Sequence, residues 1–184
     1  MLLDGLKSKK AKVQQQAAQN IAIAIIKLTG KRQREFQDSM VLGVNALVKM
    51  AECDEADDPT EERRIAAFGA LHRMLLYHKV SCKMAAETSI IKTIVGVLGK
   101  RKNSLELRTH ASNVLNTIAA NNFQSHQQML TAGVIPCLIE YIQDEDEPKR
   151  TAHSGQSSSS FNAHTQVSGT IMIYQSLACI SLFK

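Results

Sequence analysis

Histidine, cysteine, serine and the carboxylates are the residues most able to do chemistry, so their spacing is the first thing to read. The chain has six histidines. His72 and His78 stand six apart, which puts them on different faces of a helix. His110 and His126 show no acidic partner in sequence reach. None of the six reads as a ligand or a general base. Gly96-Val-Leu-Gly99-Lys100-Arg101 contains a Gly-Lys, but not the G-x-x-x-x-G-K spacing of a phosphate loop, and no hydroxyl follows the lysine. A helix–loop boundary explains it better. Asp144-Glu-Asp-Glu147 lacks the spaced ligands and central glycine of a calcium loop and reads as a solvated acidic loop. Ser154 and Ser157 to Ser160 offer hydroxyls for phosphorylation, which would let that loop compete for a basic groove. As composition alone, the same serines read as a flexible insertion. Cys53, Cys82, Cys137 and Cys179 form no C-x-x-C pair and no zinc spacing with histidine, and three sit in apolar contexts as small buried residues would. No catalytic residue, cofactor or metal ligand is therefore expected, and the chain reads as a non-enzyme.

The elements that carry these residues read as helices. The 184 residues suffice for one ordinary domain. They are 44% hydrophobic and 21% charged, with aromatics at 4%, no Trp and only 3 Pro. Apolar content made of Ala, Ile, Leu, Val and Met favours helices over strands. The net charge of +5 is uneven: residues 1–50 hold nine Lys/Arg against three Asp/Glu, and an acidic run follows at 51–62. No signal peptide is expected from the opening Met1-Leu-Leu-Asp4, and the sequence holds no N-x-S/T site and no apolar run near the roughly 20 residues of a spanning helix. The expected location is cytoplasmic, with the nucleus as a second compartment, and the cysteines fit a reducing environment.

The decisive pattern is an internal repeat near 44 residues. Leu107, Ala111, Val114, Leu115 and Ile118 form one helical stripe, with Ser104 as N-cap and Glu106 in the first turn. Shifted back by 44, Ala67, Ala70, Leu71 and Met74 fall under Ala111, Val114, Leu115 and Ile118. That helix starts with Asp58 as cap and Pro59 at its first position. Gly133 to Ile142 lies over Ser89 to Leu98 at the same offset. Val13, Ala17, Ile21, Ala24, Ile25 and Leu28 form an earlier stripe, with Gly30 as its stop. Ile171, Ile173, Leu177 and Ala178 lie 59 positions after Ser112, Val114, Ile118 and Ala119, the excess absorbed by a disordered Ser-rich insertion at about 144–166. The expected map is a leading helix at about 9–29, then helix triplets at about 31–77, 79–121 and 123–183, all in one domain spanning 1–184.

Ala111-Ser-Asn-Val-Leu-Asn-Thr-Ile-Ala-Ala, followed by Gln127-Gln-Met-Leu-Thr-Ala-Gly133-Val-Ile-Pro136-Cys-Leu-Ile, resembles the armadillo repeat. In that family a long third helix reads roughly A-x-x-A-L-x-N-L-A, and a later A-G-A-I-P links the first and second helices. The resemblance covers nearly the whole chain. It implies an all-α, right-handed α-solenoid of about three triplets plus one preceding long helix, in which the long third helices line a concave groove for extended peptides or partner proteins. The nuclear-import adaptors of the family place a Trp, and an Asn four residues on, in each repeat. Here those positions are Asn113 and Thr117, Gly69 and Arg73, and by a looser alignment Gln19 and Ile23. With no Trp anywhere, that way of binding import signals does not carry over.

The function implied is a non-catalytic scaffold that holds a partner protein or peptide, with Arg73, Asn113, Asn116 and Thr117 as the candidate contacts. The alternative is a regulatory or targeting arm of a larger enzyme, of ubiquitin-ligase or kinase type. Nucleic-acid binding ranks last, because no aromatics interleave the basic residues. Ile21–Ile26 and Ile171–Phe183 are apolar over much of their surface, so neither end looks capped. Either a longer parent protein or self-association through these ends is expected.

Overall fold

The structure is a computed structural model, and it describes residues 2–52 and 60–141. Every regular element among them is helical. A short helix α1 (Leu2–Leu6) precedes the long α2 (Ala11–Lys27). Next come α3 (Gly30–Met40), α4 (Gly43–Glu52) and the long α5 (Thr60–Leu75). Then follow α6 (Lys79–Ala86), α7 (Ile90–Leu98) and the long α8 (Leu105–Asn121). A 3-10 turn at Phe123–Ser125 leads into α9 (His126–Thr131), and a further helix α10 occupies 134–141. The Ser-rich insertion, the last apolar segment, Cys53, Cys179, Asp58 and Pro59 lie outside the described residues.

The long helices stack in order, α2 on α5 and α5 on α8, while α4 backs α5 and α7 backs α8. Each helix meets its neighbours along the array, which is the organisation of a solenoid. Small residues on the long helices let them approach closely: Ala17, Ala18, Ala67, Ala70 and Ala111 are buried. Between them lie Phe68, Leu71, Met74, Ile94, Leu107 and Ile118, all with under 2% of their surface exposed. Each such side chain contributes about 1.5–3 kcal/mol through burial.

The 44-residue period is visible in single hydrogen bonds. The Cys82 Sγ donates to the Leu75 carbonyl at 3.1 Å. Forty-four residues on, the His126 ring bonds the Ala119 carbonyl at 2.9 Å. Both contacts satisfy a carbonyl at the end of a long helix, which has no partner inside its own helix. Ser104 caps α8, its hydroxyl accepting from the Leu107 N–H at 3.2 Å. Gly133 has φ +76°, the left-handed conformation that lets α9 end and α10 start at once. Pro136 falls in the first turn of α10, where its missing N–H costs nothing.

Some details differ from the sequence reading. Gly30 does not stop α2. The helix ends at Lys27, Leu28 is extended, and Gly30, at φ +57°, opens α3. Val13 is 41% exposed and so lies off the buried stripe of α2, which narrows to Ala17, Ala18, Ile21 and Ile25. Nor does α2 come first. Helix α1 packs on α2 and α4, burying Leu6 and setting Gly5 against Ala17, while Ile23 and Ile26 stay exposed.

The corner after α5 is clamped from the preceding helix set. Gln37, buried on α3, directs its amide N–H groups at the carbonyls of Arg73, Met74 and Leu76, at 3.0, 3.3 and 3.2 Å. Its neighbour Asp38 bonds the His78 ring at 2.9 Å, and His78 also caps α6 through Ser81. Within this corner Tyr77 takes φ +61°, which side-chain-bearing residues rarely adopt.

Candidate peptide-binding groove

The faces of α2, α5 and α8 that turn away from their backing helices form one cleft of about 530 Å3. Gln15, Gln19, Ala22 and Ile23 of α2 form one side of it. Helix α5 supplies Glu62, Ile65, Ala66 and Gly69, and α8 supplies Glu106 and His110. Helical spacing explains the set. Glu62, Ala66, Gly69 and Arg73 follow one another by three or four along α5, as Glu106, His110, Asn113 and Thr117 do along α8. Gly69 leaves the floor low: a Cβ there would meet the His110 ring at 3.7 Å.

The polar groups are partly tied down. Gln15 Nε2 donates to Glu62 Oε2 at 3.3 Å. Glu61, at the rim, accepts from the Ser104 N–H at 2.8 Å, and this bond holds its carboxyl below the usual carboxylate range. Both half-buried imidazoles are held below the ordinary histidine range. For His72, burial is the main cause and the Arg73 charge adds to it, against the Asn113 carbonyl. For His110, burial again leads, Glu106 opposes it, and Arg73 adds to it.

Of the four sequence-derived contacts, Asn113 and Thr117 meet His72 at the α5–α8 junction, and Arg73 is the chain neighbour of His72 on α5. Asn113, Asn116 and Arg73 are half-buried. Thr117 is only 4% exposed. Its hydroxyl donates to the Asn113 carbonyl at 2.8 Å and stands 3.0 Å from His72 Nδ1. With the hydroxyl proton used on the carbonyl, the ring supplies its own Nδ1–H. Thr117 thus fixes His72 across the helix interface and presents little surface of its own. Sequence reasoning missed Glu62, Glu106, Gln15 and His110 as groove-lining groups. The signal was there: Glu106 lies four residues before His110 on one helix face, so His110 does have an acidic neighbour in sequence reach.

Among the described residues no cluster of three or more His, Cys, Asp or Glu side chains has the arrangement of a metal site. Cys82 and Cys137 are buried thiols, and burial pushes that of Cys82 up to about 12. No helix of the described residues is long and apolar enough to cross a membrane.

Neither a protein-family model nor a curated protein matches the sequence. Solved structures do. An engineered protein of the Northeast Structural Genomics Consortium superposes with a TM-score of 0.69 at 18% identity, over 97% of this chain and 60% of that one. A second engineered protein from the same consortium gives 0.62 at 20% identity, over 76% and 53%. A designed armadillo repeat protein gives 0.62 at 20% identity, over 78% of this chain and 56% of its own. The chain thus spans about 60% or less of the length of each of these neighbours. The protein is an all-α solenoid with an armadillo-like repeat fold. At this level of identity the likeness concerns the fold alone.

Proposed function

We propose that the protein is a non-catalytic interaction scaffold that holds an extended segment of a partner protein along the concave face of α2, α5 and α8. The observation that carries this reading is the cleft of about 530 Å3 that crosses three successive long helices. A ligand spanning several repeats draws small contributions from each, so affinity follows from length and shape without a deep pocket. Arg73, Asn113 and Asn116 act as contacts, the Asn amides bracketing a peptide backbone with one donor and one acceptor each. Thr117 acts through His72. Residues 1–184 form one repeat domain, with helix sets at about 31–77, 79–121 and 123–183. The buried thiols suit a reducing compartment, and the cytoplasm is the place proposed.

The test starts with capture of partners on the intact protein from cell extract, with cross-linking to map the contacted residues. Arg73→Glu combined with Asn113→Ala should weaken capture of those partners at least tenfold and leave the helical circular dichroism unchanged. Undiminished capture by this variant refutes the groove as the binding surface.

A further inference from the structure

Glu62 and Glu106 line one end of the groove, and Arg73 stands one helical turn beyond Gly69 toward its other end. Glu62 and Glu106 stand near the N-terminal ends of α5 and α8, within the first turns of those helices. Arg73 lies eleven residues beyond Glu62 on the same face, about 16 Å further along α5 at 1.5 Å per residue. Arg73 follows Gly69 of the cleft floor by four residues on the same face of α5, so it stands one turn beyond that end of the cleft. Among the described residues none of Glu62, Glu106 and Arg73 is held in an ion pair. Among the described residues Glu62 accepts from the neutral Gln15 amide. The floor between the two ends is Ala66, Ile65 and Gly69, which offers shape and little polarity.

An extended segment running across the long helices sends successive side chains to opposite sides. One set reaches the Glu62 and Glu106 edge, and the other reaches the Arg73 edge. On the groove reading above, we propose that the preferred occupant is an extended partner segment in which cationic and acidic residues alternate. The cationic side chains lie against Glu62 and Glu106, and the acidic ones against Arg73. A uniformly basic segment would match one edge and be repelled by the other, and a uniformly acidic one the reverse. The pattern of charge, and not its sum, is what the groove reads.

The experiment measures fluorescence anisotropy of the full chain with two labelled octapeptides at low salt, about 20 mM, where charge pairs are least screened. The probes are (Lys-Asp)4 and (Lys-Lys-Asp-Asp)2. They share composition and zero net charge, but only the first sorts its charges onto opposite sides. Exposed ion pairs are individually weak, so the expected preference for (Lys-Asp)4 is about five- to tenfold. Reversing one edge, by Arg73→Glu or by Glu62→Lys with Glu106→Lys, should abolish the preference. Reversing both edges together should restore it, because the alternating peptide need only slip by one residue. Equal binding of the two peptides, weakened alike by Arg73→Glu with Asn113→Ala, overturns the alternating pattern and leaves the groove standing. Binding that ignores every groove substitution, or no binding of (Lys-Asp)4 at millimolar concentration, overturns the proposal.

Discussion

Gly69 sits in the middle of α5, on the floor of the groove, where a helix has no need of glycine. Its φ is not positive, and a Cβ placed on it would meet only the Cε1 and Nδ1 atoms of His110, both at 3.7 Å. That is ordinary van der Waals contact. Gly69→Ala therefore removes the entropy cost of a mid-helix glycine, about 1 kcal/mol, and meets no clash. The new contacts with the imidazole add about 0.1–0.2 kcal/mol each. The sum is about 1 kcal/mol of added stability, or about 2–4 °C in Tm for a chain of this size. A thermal melt followed by circular dichroism at 222 nm reads it directly. The control is the same substitution at Gly5, where the added Cβ would stand 2.8 Å from the Ala17 Cβ. There two packed helix backbones must separate, and Gly5→Ala should cost about 1–3 kcal/mol, up to the full docking energy of α1. A lower Tm for Gly69→Ala would refute the reasoning. It would mean that the α5–α8 approach is closer than 3.7 Å implies, so that glycine is required there by packing.

Gln37→Leu keeps the buried volume but withdraws the donors from the Arg73, Met74 and Leu76 carbonyls, so it should cost about 2 kcal/mol in urea unfolding. A change under about 0.5 kcal/mol would show that water serves those carbonyls equally well. Phe68→Ala, at a fully buried position, should cost about 3–5 kcal/mol. His72 and His110 are both held below the ordinary value of 6.5, so the unfolded chain binds more protons than the folded one as pH falls past that value. Their contribution to stability is present above pH 6.5 and is lost as pH drops through the folded values. The Tm should decline from pH 7 toward 5.5, and a His72→Gln, His110→Gln variant should decline less steeply over the same window. Parallel slopes for the two proteins would rule out these histidines as the cause.

Much of the architecture was legible because it rests on local chemistry. Ser104 has only to accept from the Leu107 N–H to start a helix, and three residues of sequence contain that fact. Gly133 and Pro136 are read the same way, from the conformations each residue permits. Gly30 misled because Leu28 and Thr29 are both extended, so α2 has already ended at Lys27 and the left-handed φ of Gly30 falls at the start of α3. Val13 misled because a stripe of apolar residues fixes a face but not how much of its length a neighbouring helix covers.

The sequence by itself determined the 44-residue period, the helical character of the segments from α2 to α8 and the long helices that carry the groove. These follow from periodicity, capping and residue size, which act over a turn or two. What only the tertiary structure decided is the set of groups that meet across helices. Asp38 with His78, Gln37 with the end of α5, and Thr117 with His72 are partners 36 to 45 residues apart. The groove belongs to the same class, for its lining is assembled only once α2, α5 and α8 lie side by side. Ion pairs, hydrogen bonds and burial depend on distance in space. A repeat brings together residues one period apart, but which of them face each other is set by the rotation of each helix against the next.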